Sequence, residues 1–143
     1  LAAAVTTQGG CVYEMLEPGT TGTAPRDGPP RFASRVWLKF AGHVNSFEGE
    51  IFDSSAVRGM RKPSRETYIE VTVDGEPSIS NGLWEVLKLM KVGEKGRFVQ
   101  PPALSYDEGR SKFQGDPDAQ FNGTIPASST LYYDVELLRV IRP

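Results

Sequence analysis

The residue types that carry most covalent chemistry are nearly missing from this chain. Of its 143 residues one is a histidine, His43, and one is a cysteine, Cys11. A Ser-His-Asp triad would have to use His43, and no serine lies in a nucleophile-elbow pattern. A single cysteine makes neither an internal disulfide nor a Cys-ligated zinc site. No Walker lysine loop and no dinucleotide-binding glycine pattern is present. Neither a metal nor a cofactor is expected. These scarcities leave open chemistry that needs no nucleophile and no proton relay.

The remaining marked features are surface features by their composition. Arg58, Arg61, Lys62 and Arg65 form a basic run that reads either as a solvated loop or as a docking patch for an acidic partner. Residues 107–124 form a long polar loop without periodicity, and loops of that length are often functional or mobile. His43, near a strand end, is expected at the surface; Cys11 is expected as a buried or half-buried thiol. The formal net charge of −2 gives no basic field for a nucleic acid. No apolar run approaches the length of about 18 residues that a membrane span needs.

The elements that must position any site come from length and alternation. A chain of 143 residues is one domain, long enough to bury its own core. Fifteen glycines and eleven prolines suggest a turn-rich β protein. Strands are predicted over 11–16, 35–40, 50–53, 68–73, 95–99 and 130–141. In the clearest of them Leu131, Tyr133, Val135 and Leu137 point one way, and Tyr132, Asp134 and Glu136 the other. One helix of about three turns is predicted over 81–90, because Leu83, Leu87 and Met90 recur on one stripe, with Gly93 placed to end it. Five or six strands and one helix make an α+β domain, an antiparallel sheet with one covered and one wet face. Residues 1–10, small and uncharged, read as a flexible N-terminal segment ahead of a domain over 11–143. That segment fits the mature side of a cleaved import sequence, which favours an organelle lumen or matrix over the cytoplasm, and it equally fits a frayed or trimmed end.

Several motifs occur in a telling order. They are Phe52-Asp53-Ser54-Ser55, the run Leu87 to Lys95 (LKLMKVGEK), Pro102-Ala103-Leu104-Ser105-Tyr106, and Ile125-Pro126-Ala127 leading into Leu131 to Leu138. Together they resemble the FKBP-type peptidyl-prolyl cis-trans isomerases. The segment from Tyr13 to Gly19 resembles the first strand of that family's longer branch. The resemblance runs from Val12 to Ile141. It implies a sheet curled around the short helix, with a pocket for a prolyl ring between them. It assigns Asp53 and Tyr106 as catalytic residues, with Tyr106 bonding a substrate carbonyl. Phe40, Phe52, Ile69, Ile79, Leu83, Ile125 and Tyr133 become the substrate-binding walls.

Several positions depart from the family pattern. Ile69 stands where the central strand usually carries an aromatic residue, and extra residues precede Tyr68 and separate Tyr106 from Ile125. Phe40 stands where the family usually carries a tyrosine, and Leu83 where it carries a tryptophan on the pocket floor. Trp84 lies about 100° further around the helix and should not substitute. The pocket so implied is apolar but less aromatic, and weak macrolide binding is expected.

The chemistry implied fits the scarcity of reactive side chains. Rotation about a peptide bond faces a barrier of about 18–20 kcal/mol and breaks no bond. A dry apolar pocket favours the twisted amide, which has lost resonance and dipole. Asp53 could attract the polarised amide carbon or hold an arginine of the following basic loop. Two functions follow. The first is a peptidyl-prolyl cis-trans isomerase and folding helper, with reduced activity, acting on proline-containing polypeptides. The alternative is a non-catalytic FKBP-like binding or scaffold module in a larger assembly, holding a protein partner through loops 56–67 and 107–124.

Overall fold

Alternating apolar and polar residues give strands, and among the described residues they give seven. The computed structural model describes residues 4–22, 24–31, 34–55, 68–73, 81–102 and 129–141. In chain order the strands are β1 (Val5–Thr6), β2 (Val12–Glu17), β3 (Arg35–Val44), β4 (Ile51–Ser54), β5 (Ile69–Thr72), β6 (Lys95–Gln100) and β7 (Leu131–Ile141). The helix α1 (Asn81–Leu87) lies between β5 and β6 in sequence. The spatial order is β1-β2-β6-β7-β3-β4, with β5 also paired to β3, and every pairing is antiparallel. The strand beyond the predicted six is β1. It lies in the stretch read from sequence as a flexible lead-in, where Val5 pairs with Tyr13 and Thr6 with Val12. The next residues are tied to the helix: Glu85 Oε1 accepts from Thr7 Oγ1 at 2.5 Å and from the Gly9 amide at 3.1 Å.

The inward face of the sheet and the helix share one core. Val36, Leu38, Phe40, Phe52, Val71, Phe98, Leu131, Tyr133, Val135 and Leu137 are buried in it, together with Leu83, Trp84, Val86, Leu87 and Met90. Burying each such side chain contributes roughly 1.5–3 kcal/mol. The helix is apolar over more than one stripe because it sits in this core, so Trp84 is buried although it lies off the predicted face. The helix is also shorter than three turns. After Leu87 the amides of Leu89 and Met90 bond three residues back, to Val86 and Leu87, which is the tightened geometry of a helix end. Gly93 does not cap it. It adopts φ +89° inside the turn closed by the Glu94 amide on the Lys91 carbonyl, a conformation glycine takes at little cost.

The outward face is wet and charged. Arg97 meets Glu14 at 3.0 Å and Lys95 meets Glu17 at 3.7 Å. Exposed pairs of this kind contribute little to stability.

Candidate functional site

The site begins with β7. Period-two alternation turns Tyr133 inward, and the register with β6 and β3 sets it between Phe98 and Gly42. Its ring is the hub of an aromatic cluster. Phe98 stacks on it, with centroids 4.7 Å apart and planes 7° apart. Phe52 of β4 meets it edge-on at 5.7 Å, and Phe40 of β3 lies tilted at 6.4 Å. Offset stacks and edge contacts are the arrangements that aromatic quadrupoles favour.

Gly42 makes this meeting possible. A Cβ there would lie 2.6 Å from Phe52 Cζ and 2.9 Å from Tyr133 Cε1. A glycine inside a strand often marks such a close approach. Ser55 supplies a second support. β4 pairs β3 over Ala41 to His43, and β5 pairs it over Arg35 to Leu38, so Phe40 falls in the gap. Ser55 Oγ fills the gap, accepting from the Phe40 amide at 3.1 Å and donating to the Phe40 carbonyl at 3.4 Å.

Of the residues assigned from sequence, Phe40, Phe52, Leu83 and Tyr133 are all buried in this core, and Ile69 packs against it, half-buried. Asp53 has its backbone in β4, opposite Gly42. Ile79, Tyr106 and Ile125 lie outside the described residues, as do loops 56–67 and 107–124. The sequence reading passed over Phe98, Gly42 and Ser55 as site residues. Phe98 could have been found from the alternation of 95–99, and Gly42 from its place inside a strand.

His43 corrects an expectation. It is buried, not at the surface, because the turn between β3 and β4 folds across it. Nδ1 donates to the Gly49 carbonyl at 2.9 Å, and Nε2 stands 3.3 Å from Asp134 Oδ2. Cys11 is buried as expected. Burial pushes its thiol up to about 11, against a weaker lowering by the Thr7 hydroxyl. Tyr13 donates to the buried Glu94 carboxylate at 2.5 Å; burial first, and then that carboxylate, push its phenol well above the usual range. Neither group faces the aromatic cluster with an ionised form at neutral pH. Among the described residues no cluster of histidine, cysteine and carboxylates could hold a metal, and no helix is long and apolar enough to cross a membrane.

Comparison with known proteins decides the family. The sequence model of the FKBP-type peptidyl-prolyl cis-trans isomerases matches residues 28–138. The chain belongs to the FKBP-type peptidyl-prolyl cis-trans isomerase family. Among FKBP relatives, it is 34% identical over 135 residues to the isomerase FkpA of Escherichia coli, covering 94% of this chain and 39% of FkpA. It is 30% identical over 125 residues to the isomerase Fkbp12 of Drosophila melanogaster, covering 87% of this chain and 93% of that protein. The crystal structure of E. coli FkpA superposes with a TM-score of 0.68 at 30% identity, over 99% of this chain and 53% of that one. The N-terminal domain of FKBP42 from Arabidopsis thaliana, at 18% identity, shares the fold with a TM-score of 0.70, over 98% of this chain and 93% of that one. The chain therefore spans about two fifths of the length of FkpA and nearly all of Fkbp12. The antiparallel sheet with one short helix, expected from sequence, is the FKBP fold.

Proposed function

We propose that this FKBP domain is a peptidyl-prolyl cis-trans isomerase acting on proline-containing polypeptides, and that the Tyr133 cluster forms one wall of its prolyl pocket. The observation that carries the reading is the convergence of Phe40, Phe52 and Phe98 on Tyr133 in the core shared with Leu83. A wall of this kind offers a prolyl ring apolar contact and offers a planar, dipolar amide little solvation. The twisted amide is penalised less, so the barrier falls by the difference between the two states. Each 1.36 kcal/mol of that difference is about tenfold in rate. Tyr106 holds a substrate carbonyl in this reading, and Ile79 and Ile125 complete the walls. Asp53 stands beside the bond that rotates.

Loops 56–67 and 107–124 are the proposed contacts to a longer client or a protein partner. Leu83 in place of tryptophan removes a ring from the pocket and Phe40 in place of tyrosine removes a hydroxyl, and both lower the expected turnover.

A protease-coupled isomerisation assay on an X-Pro peptide tests the proposal. The wild-type chain is expected to exceed the uncatalysed rate. Tyr106→Phe is expected to lower kcat/KM by about fivefold, the worth of one hydrogen bond near 1 kcal/mol. A wild-type rate equal to background would replace the enzyme by a binding module on the same scaffold.

A further inference from the structure

The helix that carries Leu83 is held from two sides. At 3.6 residues per turn, Leu83 and Leu87 share one stripe of α1, and Gly82 and Glu85 share another about 150° around the axis. Leu83 and Leu87 are buried in the core that holds Tyr133. Gly82 and Glu85 face the turn over residues 7–11, between β1 and β2.

That turn is tightly built. The Thr7 amide donates to the Cys11 carbonyl at 2.8 Å, and the Gly10 amide to the Thr7 carbonyl at 3.0 Å. The Cys11 amide donates to Thr7 Oγ1 at 3.0 Å. The Thr7 hydroxyl in turn gives its own proton to Glu85 Oε1 at 2.5 Å, and the same oxygen accepts from the Gly9 amide at 3.1 Å. A carboxylate that takes two donors from one turn fixes both the distance and the rotation of the helix relative to it. Gly82 sets the depth of the helix on the same side. A Cβ there would overlap Gln100 Oε1 and fall 2.8 Å from Cys11 Sγ. Gln100 ends β6, two residues beyond Phe98, whose ring stacks on Tyr133. A helix of seven residues has little stability of its own, so its position is set by what it packs against.

We propose that Glu85 is a positioning residue for the prolyl pocket: with Thr7 it ties the back of α1 to the β1–β2 turn and so sets the height of Leu83 on the pocket floor. The inference rests on the reading of Leu83 as that floor. Glu85 acts without touching substrate, by fixing where α1 sits as a rigid body.

Methyl NMR and the coupled isomerisation assay, both on the full chain, test it. Thr7→Val and Glu85→Ala, each shown to be folded by urea unfolding, are expected to shift the Leu83 methyl signals and the indole signal of the buried Trp84. Each should also lower kcat/KM at least about fivefold, a small part of the roughly hundredfold that a 1 Å misplacement can cost. Because both act through one contact, the double variant should lose little more than either alone. Thr7→Ser and Glu85→Gln keep the donor and the acceptor and should restore both readouts. Should Glu85→Ala not fold, Thr7→Val, which removes a single hydroxyl, carries the same comparison. The inference is overturned if the folded variants keep the wild-type Leu83 signals or, in an active chain, the wild-type rate. It is equally overturned if the two single losses add in the double variant. A wild-type rate equal to background overturns the isomerase reading instead, and the Leu83 signals still decide this inference.

Discussion

The ring of Phe98 lies flat on the ring of Tyr133, 4.7 Å between centroids, across the β6–β7 ladder. The two residues are paired directly in register, so the stack is a cross-strand pair on the inward face. Phe98→Ala is expected to cost about 3–5 kcal/mol, since the ring is fully buried. Phe98→Leu should cost less and keep the fold, yet lower kcat/KM because Tyr133 loses its backing. Urea unfolding and the coupled isomerisation assay, run on the same preparations, separate the two effects.

Gly42→Ala adds one methyl group where Phe52 and Tyr133 already meet. Both rings must move, at a cost of roughly 1–3 kcal/mol for an overpacked core. The expected result is a lower unfolding midpoint together with a loss of isomerase rate. An alanine variant as stable and as active as wild type would show that the rings can be displaced freely.

Ser55→Ala removes both side-chain bonds to Phe40. The Phe40 amide is then buried without its partner, which costs about 1–3 kcal/mol. Ser55→Thr keeps the hydroxyl and should restore most of that loss. Faster hydrogen exchange at the Phe40 amide in the alanine variant alone is the decisive measurement.

Stability should fall in alkaline solution. Cys11 titrates near 11 in the folded chain against 9.0 ordinarily, because burial disfavours the thiolate. Below pH 9 the thiol is protonated folded and unfolded alike, and the contribution is fully present. Between pH 9 and 11 the unfolded chain ionises first, so stability is lost as pH rises through the window, by about 2–3 kcal/mol from Cys11. Tyr13 shifts in the same direction and adds to the loss. Cys11→Ala should flatten part of the decline in the urea midpoint from pH 8.5 to 10.5, and Tyr13→Phe another part. A midpoint unchanged over this range in the wild type would mean that neither group is desolvated.

Much of the fold was legible in local patterns. The alternation of Leu131, Tyr133, Val135 and Leu137 specified the inward face of β7, and that face is buried. The apolar stripe of Leu83, Leu87 and Met90 located the helix. Period and composition suffice for this because the direction of a side chain from its own backbone is a local property. The motif order added the family and the candidate walls Phe40, Phe52, Leu83 and Tyr133.

Other features exist only where separate segments meet. The register shift at Trp37/Leu38, opposite Leu137 and Arg139, breaks the alternation of β7, so Val140 rather than Leu138 or Arg139 turns into the core. His43 is buried by a turn that closes across it, and Trp84 by a core that surrounds the helix on more than one side. The meeting of Phe52 with Tyr133 over Gly42 is likewise decided by strand register. The sequence alone determined the inward face of each regular strand and the main apolar stripe of the helix. Which side chains touch was left to the tertiary structure, because contact depends on distances between chain segments that no single segment encodes.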